Sequence, residues 1–296
     1  MKILLVGHSV EDYIHYPTKT LHQPGGVFYS VVGLSSIKDE DDEIHLCSSI
    51  NKNNYNLYSE YYDKVDRTNL LLKESAPVIH LYIHEGKERD EIYENITSEL
   101  PVDKINPEDY YGILINMITG FDISISNAEL LRNKFDGLIF LDVHSLSRVL
   151  DENSKMIFRK IPDTERWLNV ADIVQANTNE LLTLTDYDNE KEIAEYVLNH
   201  RAKILIITKE DKGAIVYYKD KSGDVSAIHK PALDVPCNNK VGCGDVFGAV
   251  FFYTYLKHKD VDKALKAAIE ASGLMVSYNN MEDFKKLRND LFSRHN

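Results

Sequence analysis

Five short, almost wholly apolar runs punctuate this chain: Lys2 to Val6, Gly112 to Asn116, Leu138 to Val143, Ile173 to Ala176 and Lys203 to Thr208. Runs of that length, bounded by turn residues, read as strands buried on both faces. Ile44 to Ser48 fits a further strand, and Ala214 to Tyr218 with Val225 to Ile228 a hairpin. Helical patterns lie between and after them, over Val27 to Ile37, Asn51 to Tyr62, Ser124 to Arg132, Ile193 to Leu198, Gly242 to Leu256, Val261 to Ser277 and Glu282 to Phe292. Strands alternating with helices predict an α/β protein: a mostly parallel central sheet covered on both faces, with right-handed connections. Ligands of such sheets bind at the carboxyl ends of the strands.

One region does not fit that layer. Thr68 to Lys73, Val78 to His84 and Glu88 to Tyr93 read as a β-meander, with turns at Ser75-Ala76-Pro77 and Glu85-Gly86-Lys87. With Tyr13 to Gln23 it is expected to form a small separate sheet. That makes a lid of about 13–23 and 68–100 within a single domain spanning 1–296. A lid excludes water from a transfer site. The other reading of the same strands is an extension that supports a homodimer.

The net charge of −13 and a pI near 5.3 argue against a nucleic-acid or anionic-membrane surface, which needs a basic patch. The three cysteines, Cys47, Cys237 and Cys243, have neither metal-ligand spacing nor an even count. With no membrane-length apolar run, and with an opening run too short for a signal peptide, they point to a reducing cytoplasm.

The stretch Val241-Gly242-Cys243-Gly244-Asp245 leads directly into a long apolar helical pattern. Backbone N–H groups stacked at a helix start make an anion site, here from Gly242, Cys243 and Gly244. Asp245 sits at its rim, where a phosphoryl-transfer enzyme needs a carboxylate to take a proton from an attacking alcohol. The competing reading is a helix cap.

Four stretches, in order, make the chain resemble the ribokinase-like (PfkB) family of carbohydrate and nucleoside kinases. They are Val6-Gly7 with Asp12, Pro24-Gly25-Gly26, Asn177-Thr178-Asn179-Glu180, and Gly242 to Asp245. The resemblance implies a ribokinase-like three-layer α/β/α core with a small β-sheet lid. It implies ATP-dependent phosphorylation of a hydroxyl on a small polyhydroxylated substrate, a sugar or related polyol. Asp245 would be the catalytic base, Gly242, Cys243 and Gly244 the anion hole, and Asp12 with Gly25, Gly26 and Ser30 the acceptor site. Asn177 and Glu180 would organise Mg²⁺ largely through water, although they also have capping-box spacing. Arg148, after Leu141-Asp142-Val143-His144, would contact substrate or phosphate; its alternative is an ordinary ion pair. Thr208 and Gly213 would border the nucleotide, and a monovalent cation is compatible with the site.

Besides Cys243, which stands where the family usually has alanine, three places depart from the family pattern. Ser30 stands where many sugar kinases of the type have asparagine, Glu210 replaces the first glycine of the nucleotide loop, and Asn239-Lys240 replaces Asp-Thr. They leave room for a nucleotide other than ATP. They also leave room for a nucleoside kinase, with Phe28 or Tyr29 as an aromatic platform, or for a catalytically silent nucleotide- or sugar-binding regulatory protein.

Overall fold

The computed structural model describes residues 1–84, 90–220 and 222–294. In chain order the strands are β1 (Lys2–Val6), β2 (Ser9–Tyr16), β3 (Lys19–Gly26), β4 (Glu43–Asn51), β5 (Leu70–Lys73), β6 (Val78–Tyr82), β7 (Asp90–Glu94), β8 (Gly112–Asn116), β9 (Leu138–Asp142), β10 (Arg148–Leu150), β11 (Met156–Phe158), β12 (Ile173–Asn177), β13 (Ile204–Thr208), β14 (Ala214–Lys219) and β15 (Val225–Lys230). The helices are α1 (Val27–Ile37), α2 (Ser59–Tyr62), α3 (Ile125–Asn133), α4 (Thr164–Val170), α5 (Thr178–Leu181), α6 (Glu190–Leu198), α7 (Cys243–His258), α8 (Val261–Ser277) and α9 (Leu287–Ser293).

The large sheet runs β15-β14-β13-β12-β9-β8-β1-β4-β5. It is parallel from β13 to β5, and the β14–β15 hairpin is added antiparallel. Strand side chains alternate between two cores. Ile3, Leu5, Leu114, Phe140, Ile204 and Ile206 join α1, α7 and α8 on one face. Leu4, Val6, Ile113, Ile115, Leu205 and Ile207 join α3, α4 and α6 on the other. Burial on both faces is why these strands read as unbroken apolar runs.

The small sheet has the order β3-β2-β6-β7. It differs from the expected lid in two ways. Leu70–Lys73 leaves it and pairs in parallel with β4 at the edge of the large sheet. Val78–Tyr82 pairs in parallel with β2, so the arrangement is not a meander. Both pairings are long-range, beyond what a local pattern shows. The expected turn at 85–87, and the first residues of the strand expected over 88–93, lie outside the described residues. No described helix is long and apolar enough to cross a membrane.

Candidate active site

The carboxyl ends of β1, β8, β9, β12 and β13 lie side by side, with the start of α7 among them. Beside β1 the chain departs to β4 on one side while β8 occupies the other, a switch point of the kind where α/β sheets bind ligands. Two amides at the strand ends reach the α7 turn. Asn116 Nδ2 donates to Asp245 Oδ1 at 2.6 Å and to Ser30 Oγ at 3.0 Å. Gln175 Nε2 donates to Asp142 Oδ2 at 2.7 Å and to the Gly244 carbonyl at 3.1 Å.

Helix α7 opens from Gly242, which is in the left-handed region at φ 79°. A Cβ there would fall 2.2 Å from the Tyr29 ring, so close approach and backbone conformation both demand glycine. Gly244 is exposed, whereas Cys243 and Asp245 are half-buried. The first-turn N–H groups of a helix have no partner within it, and here they surround that partly open turn. Cys243 Sγ donates to the Asn239 carbonyl at 3.5 Å.

The small sheet supplies the opposite wall. Asp12 is buried on β2, paired in register with Gln23 of β3. Its carboxylate lies where a Cβ on Gly25 would be, with Oδ2 only 2.1 Å from that point. Gly26, at φ 64°, has no such room either, because the His8 carbonyl stands 2.4 Å from its would-be Cβ. Tyr29 lies between the two walls. Burial first, and then Asp12, with Asp245 and Cys243 adding, push its hydroxyl well above the usual range; Gln23 Nε2 donates to that oxygen at 2.6 Å. Phe28 and Tyr29, considered as a base platform, are both buried core rings, Phe28 packing edge-on against Tyr58 and Tyr61.

Asn177 and Glu180 form a complete capping box. Asn177 Oδ1 accepts from the Asn179 and Glu180 amides, and Glu180 Oε2 accepts from the Asn177 amide. Glu180 Oε1 lies 3.0 Å from Arg148 Nη1 and 2.9 Å from His144 Nδ1. Arg148, expected at the substrate, is buried here, ion-paired to Glu180 and stacked on Phe158. Burial would raise the Glu180 carboxyl, but His144 and Arg148 hold it down, at about 2. Asp142 goes the other way. Burial, then the Glu180 and Asp245 charges, push it up to about 7.

Among the described residues no group of three or more His, Cys, Asp or Glu is arranged to hold a metal directly. Asp142 is nevertheless raised by two neighbouring carboxylates, and such crowding is relieved by a hydrated cation. Glu180, already bonded at both oxygens, fits that cation only through water.

Beyond β12, Thr208 ends β13 and Gly213, at φ 87°, closes the loop expected to border the nucleotide; a Cβ on Gly213 would fall 2.0 Å from the Lys230 carbonyl. Glu210 holds the left-handed conformation itself, at φ 49°. Its carboxylate pairs with Lys240 Nζ at 2.9 Å, an exposed bridge between this loop and the approach to α7. Two of the three departures from the family pattern therefore touch each other, and the third, Ser30, is bonded to Asn116. Asn116 and Gln175 carry no local sequence mark.

Fold and site together define a ribokinase-like α/β protein, with a large mostly parallel sheet, helices on both sides and a separate small sheet beside the glycine turn. The family described as pfkB family carbohydrate kinase matches residues 148–285. A nucleoside kinase of Methanocaldococcus jannaschii is 22% identical over 284 residues, covering 88% of this chain and 86% of that protein. A deoxyribokinase of Salmonella typhi is 28% identical over 128 residues, 39% of this chain; the match spans 40% of the deoxyribokinase. A solved pyrophosphate-dependent kinase of the ribokinase family, complexed with a pyrophosphate analogue and myo-inositol, aligns with TM-score 0.79 at 17% identity over 99% of this chain and 100% of that one. Residues 148–285 thus resemble the pfkB carbohydrate kinases, and the chain as a whole has the ribokinase-like fold.

Proposed function

We propose that this protein transfers the terminal phosphoryl group of ATP to a hydroxyl of a small polyhydroxylated substrate, a sugar or related polyol. The observation that carries the reading is the opposition of two carboxylates across Tyr29: Asp12, seated over Gly25 on the small sheet, and Asp245, on the first turn of α7. Asp12 accepts hydrogen bonds from acceptor hydroxyls, and the bare Gly25-Gly26 backbone lets the acceptor approach. Asp245 takes the proton of the attacking hydroxyl as its oxygen bonds to the γ-phosphorus and the bond to the departing ADP oxygen breaks. The Gly242, Cys243 and Gly244 amides stabilise the charge on the moving phosphoryl oxygens. Thr208 and Gly213 border the nucleotide. When bound, Mg²⁺ would neutralise phosphate charge; Asn177 and Glu180 would act through its water, with Asp142 beside them. Arg148 and His144 fix Glu180 for that task.

The solved relative that uses pyrophosphate makes this the donor to test beside ATP, since Glu210 alters the nucleotide loop. Buried Phe28 and Tyr29 do not favour the nucleoside reading. The reaction belongs in the cytoplasm, where the exposed thiol of Cys237 stays reduced, and the small sheet is the surface for a homodimer.

The test is ADP or phosphate release from Mg·ATP or Mg·pyrophosphate with a panel of pentoses, hexoses, inositols and nucleosides, in K⁺ and in Na⁺. Asp245→Asn is expected to lower kcat by about a hundredfold or more. Activity within a few-fold of the unaltered protein would defeat the base assignment. Donor binding with no transfer to any acceptor would favour the regulatory binder.

A further inference from the structure

Asp245 is half-buried on the first turn of a helix, where a carboxylate has more than one staggered rotamer open to it. The Asn116 side chain reaches it from below. Asn116 closes β8 at the switch point and is 1% exposed; the bare Cα of Gly7, after β1, lies against its carbonyl, where a Cβ would fall 2.6 Å from the oxygen. Its amide gives one N–H direction to Asp245 and the other to the fully buried Ser30.

The cost of this arrangement is visible. Asn116 Oδ1 is buried and has no hydrogen-bond partner. Turning the amide over would let the Ser30 hydroxyl donate to that oxygen, but it would set the oxygen against the Asp245 carboxylate and lose the bond to it. A buried acceptor left unpaired is unfavourable, and cores generally avoid it. An apolar residue at the end of β8 would remove the cost, as Leu114 shows two positions earlier on the same face. What the asparagine supplies is a charge-assisted hydrogen bond that holds one oxygen of the Asp245 carboxylate.

We infer that Asn116 is a positioning residue for phosphoryl transfer: its amide fixes the Asp245 carboxylate, and Ser30, small enough to admit that amide beside α1, fixes Asn116. The inference rests on the reading of Asp245 as the base. Transfer rates depend steeply on the placement of such groups, so the loss belongs in kcat rather than in donor binding. The compact Ser30 and the longer Asn116 act as a complementary pair, one contributing space and the other reach.

The experiment compares Asn116→Leu, isosteric Asn116→Asp and Asp245→Asn with the unaltered full chain. It measures ADP release from Mg·ATP with the acceptor that works best, KM for ATP, and Tm. Expected for Asn116→Leu is a fall in kcat of about ten- to a hundredfold with KM for ATP within about twofold. If Asn116→Leu does not fold, Asn116→Asp keeps the shape and sets a second carboxylate against Asp245; its kcat is expected to fall by at least as much. The exchange Ser30→Asn with Asn116→Ser is expected to recover about tenfold or more over Asn116→Ser alone. Unchanged kcat in a folded Asn116 variant, beside an inactive Asp245→Asn, overturns this inference and leaves the base assignment standing. Full transfer by Asp245→Asn overturns both.

Discussion

Single atoms decide whether this site is open. The hydrogen on the Gly25 Cα occupies the only space left by the Asp12 carboxylate, and a methyl group there would fall within 2.1 Å of Oδ2. Gly25→Ala is therefore expected to displace Asp12 and lower kcat/KM for the acceptor by roughly tenfold or more, with KM for ATP unchanged, as steady-state kinetics in both substrates will show. Gly25, Gly26 and Gly242 were legible in the sequence as turn glycines, because close approach or positive φ leaves a local mark, whereas the roles proposed for Asp12 and Asp245 rest on the resemblance. Asn116 and Gln175 were not legible. An asparagine or glutamine at the end of an apolar run looks like punctuation until β8 is seen beside β1 and α7 is seen above both. Arg148 was noticed, but the partner that determines its local role, Glu180, lies 32 residues away.

At the scale of elements, the ends of β9 and β12 store electrostatic work. Asp142 is raised from 3.8 to about 7 by burial and by the Glu180 and Asp245 charges. Its folded value lies above its unfolded one, so the native state binds this proton more tightly. Its contribution is fully present below about pH 4 and is lost as pH rises toward 7. Glu180 has the opposite sign: lowered to about 2, it stabilises above its ordinary range and loses that contribution as pH falls. Asp142→Asn is expected to flatten the fall in stability between pH 5 and pH 8, and to raise Tm at pH 8 more than at pH 5, measured by calorimetry in EDTA. The order of helices and parallel strands followed from periodicity alone, since strands buried on both faces announce themselves. Leu70–Lys73 was misplaced for the same physical reason that parallel sheets fold slowly. A four-residue strand says nothing about a partner twenty residues upstream.

For the whole molecule, the outer face of the small sheet is the surface that remains to be covered. Tyr13, His22, His80, His15 and Tyr82 stack there as a partly exposed ladder of rings, with centroids 4.4–5.2 Å apart. A homodimer that buries this ladder is expected at micromolar concentration by light scattering. Tyr13→Asp should then yield a monomer, whereas a monomer in the unaltered protein would remove the ladder as an interface. The opposite face of the same sheet carries Asp12, from the strand that follows β1, while Asp245 arrives on α7, more than two hundred residues later. On the proposed reading, the two halves of the reaction are thus encoded far apart. On a ribosome, the strands that carry the proposed acceptor wall emerge long before the proposed base, yet their buried side chains share one core with α7. A chain divided in the loop before Val241 would give one fragment that presents the acceptor wall and another that carries the base, and neither alone would transfer a phosphoryl group. Restored turnover on mixing them would report their reunion, giving the protein a ready use as a two-part reporter of association.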